Sequence, residues 1–145
     1  MNMGLLDRFR KKSPKRNKDT GNWVERYWKS FNHAIDGIIY TIKYEHNMII
    51  IFVATIIVVA LSFYFKIKAY EWLFIVLVIG GIMCTELINS SIEAAIDLST
   101  TEMHPLAKIA KDTASGATLI LVIISIIGGL IIFLPRFISL FGGTL

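Results

Sequence analysis

From Trp72 to Asp97 the chain reads WLFIVLVIGGIMCTELINSSIEAAID. It opens on an uncharged apolar run and closes on a polar stretch with three carboxylates, yet it reads as one helix. The apolar run ahead of Thr85 and Glu86 covers only about 20 Å at 1.5 Å per residue, short of a hydrocarbon layer about 30 Å thick. The helix therefore carries its polar part into the bilayer. At about 100° per residue, Glu86, Asn89, Glu93 and Asp97 share one face, with Ser90 beside it. A span that starts at Trp72 leaves Glu86 several ångströms inside the apolar layer and Glu93 and Asp97 at or beyond its edge. A carboxylate near mid-membrane costs about 2.5–3.5 kcal/mol on insertion scales, so this face needs partners, protons or a cation.

The flanking sequence supplies two more spans. Met48–Phe65 and Ala117–Leu134 are uncharged runs, the second closed by Pro135 and Arg136, each long enough to approach the hydrocarbon thickness. Ahead of them Trp23, Tyr27, Phe31, Ile35, Ile38, Ile39 and Ile42 recur at three and four residues, opposite Lys29, Asn32, Asp36 and Lys43. That periodicity predicts an amphipathic helix, which its aromatic and basic flank suits to the headgroup layer. The expected architecture is an all-α membrane protein. A basic, disordered arm over residues 1–21 precedes an integral membrane domain over 22–140, with a surface helix over 22–46 and spans over 48–65, 72–98 and 113–134. Ser99–Asp112 is expected to be a polar loop.

Composition agrees: 145 residues, 54% of them apolar, with a mean hydropathy of +0.61, exceed what a water-soluble domain of this size needs. The net charge of +4 does not point to nucleic acid, because ten of the 15 Lys and Arg precede the first span. That asymmetry predicts a cytoplasmic N-terminus, hence a cytoplasmic Ser99–Asp112 loop and an external C-terminus. The single cysteine, Cys84, excludes an internal disulfide and a cysteine-rich zinc site and reads as a small buried hydrophobe. Gly80-Gly81 and Gly128-Gly129 read as points of close helix approach.

An acidic stripe at an interface fits a cation path, a proton relay, or a site for Mg²⁺ and phosphates. The nearby Lys108 and Lys111, with His104 and Asp112, favour the last. Mg²⁺ takes one or two carboxylates plus phosphate oxygens, and a lysine neutralises charge during phosphoryl transfer. Neither a G-x-x-x-x-G-K-[ST] nor a G-x-G-x-x-G loop is present, so a nucleotide would be held some other way.

The spacing E-x-x-N-S-x-I-E-x-x-x-D over Glu86–Asp97, with Ala110-Lys111-Asp112 and the run to Ala117, resembles the signature of the prokaryotic diacylglycerol kinase family. The likeness extends over about residues 25–134. The loop from His104 to Asp112 looks more like the Gram-positive branch, whose members phosphorylate undecaprenol. The resemblance implies an ATP- and Mg²⁺-dependent lipid kinase of the cytoplasmic membrane, a homotrimer with sites between subunits. In family terms Glu86 is the general base at the lipid hydroxyl, and Glu93 and Glu45 ligate the metal. Asn89, Lys111 and Asp112 belong to the active centre, Arg26, Glu102 and His104 touch the nucleotide, and Ser115 lies near the lipid pocket. Diacylglycerol is the alternative acceptor. A small transporter or channel subunit and a non-catalytic membrane scaffold are the readings from other classes.

Overall fold

The computed structural model describes residues 22–99 and 104–142. They form four helices in chain order, α1 (Trp23–Tyr44), α2 (His46–Tyr64), α3 (Ala69–Ser99) and α4 (Pro105–Leu140), with no strand among the described residues. The expected all-α architecture is the one observed. The arm over residues 1–21 and Glu102 lie outside the described residues.

The chain divides into two compact units, residues 1–37 and 38–145. In the first, residues 23–37 belong to α1, whose apolar positions Trp23, Tyr27, Phe31 and Ile35 are all exposed. The amphipathic pattern thus forms a helix without burying its stripe within the unit. Trp23 meets Tyr27 edge-on and Trp28 stacks on Phe31, so the aromatic residues contact one another along the helix.

In the second unit α2, α3 and α4 are each long and apolar enough to cross a membrane. The α2–α3 corner is tight. Ile67 N–H donates to Ser62 O and Lys66 N–H to Phe63 O, both at 3.2 Å, the paired bonds of a Schellman cap. Lys66 takes the left-handed position usually given to glycine, at φ 48°. Ile67 then turns inward to a core of Ile75, Ile132 and Phe133, with Phe65, Trp72, Phe74 and Phe137 against it.

α4 packs mainly along α3. A Cβ on Gly128 would fall on the ring of Phe74, and one on Gly81 would touch Leu121 at 3.4 Å, so one glycine of each pair sits where the helices approach. Gly80 and Gly129 face open space. At the corner end, Arg136 Nη2 donates to both Glu71 oxygens at 3.0 and 2.7 Å, while Nη1 donates to Ile132 O. The pair joins the start of α3 to the end of α4.

Several boundaries differ from the sequence reading. The polar loop is shorter than Ser99–Asp112, because Pro105 enters as the first residue of α4, where its missing N–H costs nothing. Lys108, Lys111 and Asp112 therefore stand on a helix. The third span is expected to close at Pro135, but α4 runs on to Leu140 with Pro135 inside it, and the Arg136 side chain donates to the Ile132 carbonyl. Cys84, expected to be buried, is exposed.

A candidate phosphoryl-transfer site on α3

The acidic face of α3 changes character along its length. Glu86 is 1% exposed and Asn89 5%, with Ser90 buried beside them. Glu93 is half-buried and Asp97 exposed. This gradient follows the chain's passage from apolar to polar sequence. The buried carboxylate comes first, a half-exposed acid two turns later, and an ion pair with α4 at the end.

Each acid has a partner. Asn47, in the first turn of α2, donates Nδ2 to Glu86 Oε1 at 2.8 Å. Asn89 donates Nδ2 to Glu93 Oε1 at 3.1 Å, one turn along the same helix. Lys111 Nζ meets Asp97 Oδ1 at 2.5 Å, bridging α3 to α4 across residues 100–103. Ser90 Oγ donates to Glu86 O at 3.0 Å, so its hydroxyl is spent on the α3 backbone.

Glu45 is the half-buried residue between α1 and α2, in extended backbone at φ −92° and ψ 117°, with no side-chain capping bond. Its carboxylate stands two residues from the Asn47 that meets Glu86. His104 caps α4: its Nδ1 accepts from Leu106 N–H at 3.2 Å, which leaves Nε2 for any ligand. Asp112 and Ser115 are exposed on α4. Arg26 is exposed on α1, in the first unit.

The structure thus joins Asn89 with Glu93 and Lys111 with Asp97. It joins Glu86 to a residue the sequence reading did not single out, Asn47, for which the only signal was its place at a helix start two residues beyond Glu45. Asp97 was read as part of the stripe, but its pairing with Lys111 depends on the turn between α3 and α4, which spacing along one helix does not report.

Whether these groups suit a divalent cation can be judged from their atoms. Asn89 Oδ1 is buried with no hydrogen-bond donor, and it shares its side chain with the amide that grips Glu93. A carboxylate beside a carbonyl oxygen that lacks a donor is a hard-oxygen donor set, the kind Mg²⁺ takes. Among the described residues no three His, Cys, Asp or Glu side chains cluster as a complete metal cage; Mg²⁺ bound through one or two carboxylates and phosphate oxygens needs none.

Residues 32–133 match the family described as prokaryotic diacylglycerol kinase. The chain belongs to that family. It is 44% identical over 119 residues to undecaprenol kinase of Bacillus subtilis (strain 168), covering 82% of this chain and 97% of the relative. It is 38% identical over 96 residues to diacylglycerol kinase of Helicobacter pylori (strain J99), covering 66% and 75%, and 32% identical over 75 residues to diacylglycerol kinase of Escherichia coli (strain K12), covering 52% and 62%. As a member of this family the chain is a multi-pass membrane lipid kinase with ATP as phosphoryl donor.

Proposed function

We propose that this kinase transfers the γ-phosphate of ATP to the hydroxyl of undecaprenol at the cytoplasmic face of the cell membrane, with Glu86 as general base. The observation that carries the reading is the burial of the Glu86 carboxylate at 1% exposure on the same helix face as the partly exposed Asn89–Glu93 pair. A lipid hydroxyl sits just beneath the phosphate and water layer, so its base belongs slightly below the polar groups that meet the nucleotide. The greater identity and coverage shared with the Bacillus undecaprenol kinase than with the Helicobacter diacylglycerol kinase supports the polyprenol over diacylglycerol.

In this reading one Glu86 oxygen accepts the hydroxyl proton as the alcohol oxygen bonds to the γ-phosphorus and the bond to the β,γ-bridging oxygen breaks, releasing ADP. A positioned base contributes about 10²–10⁴-fold. Glu93 and Glu45 would hold Mg²⁺, with Asn89 Oδ1 as a further oxygen donor beside Glu93; bound there, the ion would supply positive charge against that of the phosphates. Lys111, steered by Asp97, would bring a cation to the transferred group, with His104 and Asp112 as nucleotide residues; Arg26 and Glu102 are assigned to the nucleotide by resemblance alone. Ser115 belongs to the lipid side. The homotrimer expected by resemblance would supply the second wall of the site. The exposed apolar residues along α2 and α4 are compatible with both lipid and neighbouring subunits.

The test is the purified protein in mixed micelles with labelled ATP and a choice of acceptors. Undecaprenol should be labelled at higher kcat/KM than diacylglycerol. Glu86→Gln, which keeps an oxygen for Asn47 to bind, should fold and lose about 10²–10⁴-fold in kcat. Full activity of that variant refutes the base, and preference for diacylglycerol refutes the acceptor.

A further inference from the structure

Asn47 stands outside every role assigned above. It lies in the first turn of α2, beyond the extended Glu45, and its amide crosses to α3 to reach Glu86 Oε1 at 2.8 Å. Among the described residues this is the one hydrogen bond made to that carboxylate. An ionised carboxylate only accepts, so the amide must present its NH₂ rather than its oxygen, which fixes the direction of the bond.

A glutamate loses side-chain freedom when held in one conformation, and a base works only within hydrogen-bond reach of its proton, about 2.6–3.2 Å. Burial alone confines Glu86 without choosing between its oxygens. Asn47 makes the choice: it occupies Oε1 and leaves Oε2 unengaged. A lysine or arginine there would orient the carboxylate too, but would pair its charge and weaken it as a proton acceptor. A neutral amide orients it without that ion pair.

We infer that Asn47 is a positioning residue for phosphoryl transfer, its amide fixing the Glu86 carboxylate so that one oxygen is presented to the acceptor hydroxyl. This rests on Glu86 being the base. Asn47 need not touch lipid or nucleotide to act; it works through Glu86, from a helix start that also follows Glu45.

The experiment compares the full-length enzyme with Asn47→Ala, Asn47→Asp, Glu86→Asp and Asn47→Ala/Glu86→Asp in undecaprenol micelles. Misplacing a reacting group by about 1 Å costs up to about 10²-fold, so Asn47→Ala should lower kcat by about 10–100-fold. KM for ATP should stay within about twofold, because the Asn47 amide bonds Glu86 and none of the residues assigned to the nucleotide. Asn47→Asp has the same shape, so it serves should the alanine variant misfold; it removes the donor and adds a like charge, and should lose at least as much. Glu86→Asp withdraws its carboxylate by one methylene, beyond the amide, so Asn47→Ala should add under about twofold in that background, non-additivity being the mark of residues acting as a unit.

A tie that merely holds α2 to α3 gives the opposite pattern. Asn47→Ala would lower the unfolding midpoint, and its effect on kcat would be the same in both backgrounds, overturning the inference. So would kcat within about twofold of wild type for both Asn47 variants. Those outcomes are separable from failure of the base itself: an active Glu86→Gln removes the base and this inference together, whereas an inactive Glu86→Gln beside unaffected Asn47 variants removes this inference alone.

Discussion

The Glu71–Arg136 pair should show a measurable coupling energy. Arg136 reaches both carboxylate oxygens, at 3.0 and 2.7 Å, and Glu71 Oε2 also accepts from Lys68 N–H at 2.7 Å. The arginine side chain is 25% exposed and the glutamate 11%. A fully exposed pair is worth about 0–1 kcal/mol, and breaking a buried one costs about 3–5 kcal/mol. These exposures, at a boundary where a stranded arginine can turn to water, place the coupling between the two, at about 1–3 kcal/mol. The measurement is a double-mutant cycle with Glu71→Gln, Arg136→Met and both, read by reversible unfolding in mixed micelles. Glu71 and Glu86 are about 22 Å apart along α3, so kcat of the folded variants should stay within about twofold of wild type. A coupling below about 0.5 kcal/mol would refute the view that this pair fastens the corner end of α3 to α4.

Further outcomes test the fold and the site. Gly128→Leu drives a side chain into the Phe74 ring and should lower stability by about 1–3 kcal/mol, seen as an earlier unfolding midpoint, while the same change at Gly129, which faces open space, should cost under about 1 kcal/mol within one subunit. Lys66→Gly relieves a left-handed residue at φ 48° and should raise stability by about 0.5–1 kcal/mol, the relieved strain of about 1–2 kcal/mol exceeding glycine's entropy cost. Lys111→Met should reduce kcat by about 10²–10³-fold if its charge meets the transferred phosphate. Asp97→Asn, which frees Lys111 but keeps the cation, should cost less than tenfold.

The sequence carried the helices because their signals are local. The apolar runs of α2 and α4 and the three-to-four spacing of α1 each need only neighbours in the chain. The face bearing Glu86, Asn89, Glu93 and Asp97 was legible for the same reason, since a helix converts spacing into direction. What spacing could not convey was how the helices meet. Asn47 reaches Glu86 across 39 positions and Lys111 reaches Asp97 across 14, and neither contact follows from one helix alone. Proline also misled in both directions: Pro105 looked like part of a loop and Pro135 like an end, yet the first starts α4 and the second lies within it. A missing N–H is harmless at a helix start, so a proline there opens a helix as readily as it sits in a loop.

These contacts bear on how a three-span chain can work on a membrane-buried alcohol. Glu86 and Glu93 are about 10 Å apart along α3, too far for both to touch one phosphorus atom, so the helix has to act as a ruler between two zones. With Glu86 as the proposed base, the lower end needs a carboxylate shielded from water and aimed; burial would provide the first and the Asn47 amide the second. The upper end would need hard oxygens and a cation; the Asn89–Glu93 pair could offer the oxygens and Lys111, tethered to the more exposed Asp97, the cation. A triphosphate laid between them would span the gap from above while the acceptor enters from below. The polar residues at both ends are then held by amide or lysine partners drawn from α2, α3 and α4. In that proposal, displacing α2 would disturb the aim of the base and displacing α4 the position of the cation, so mutations on either helix should lower kcat, through different groups.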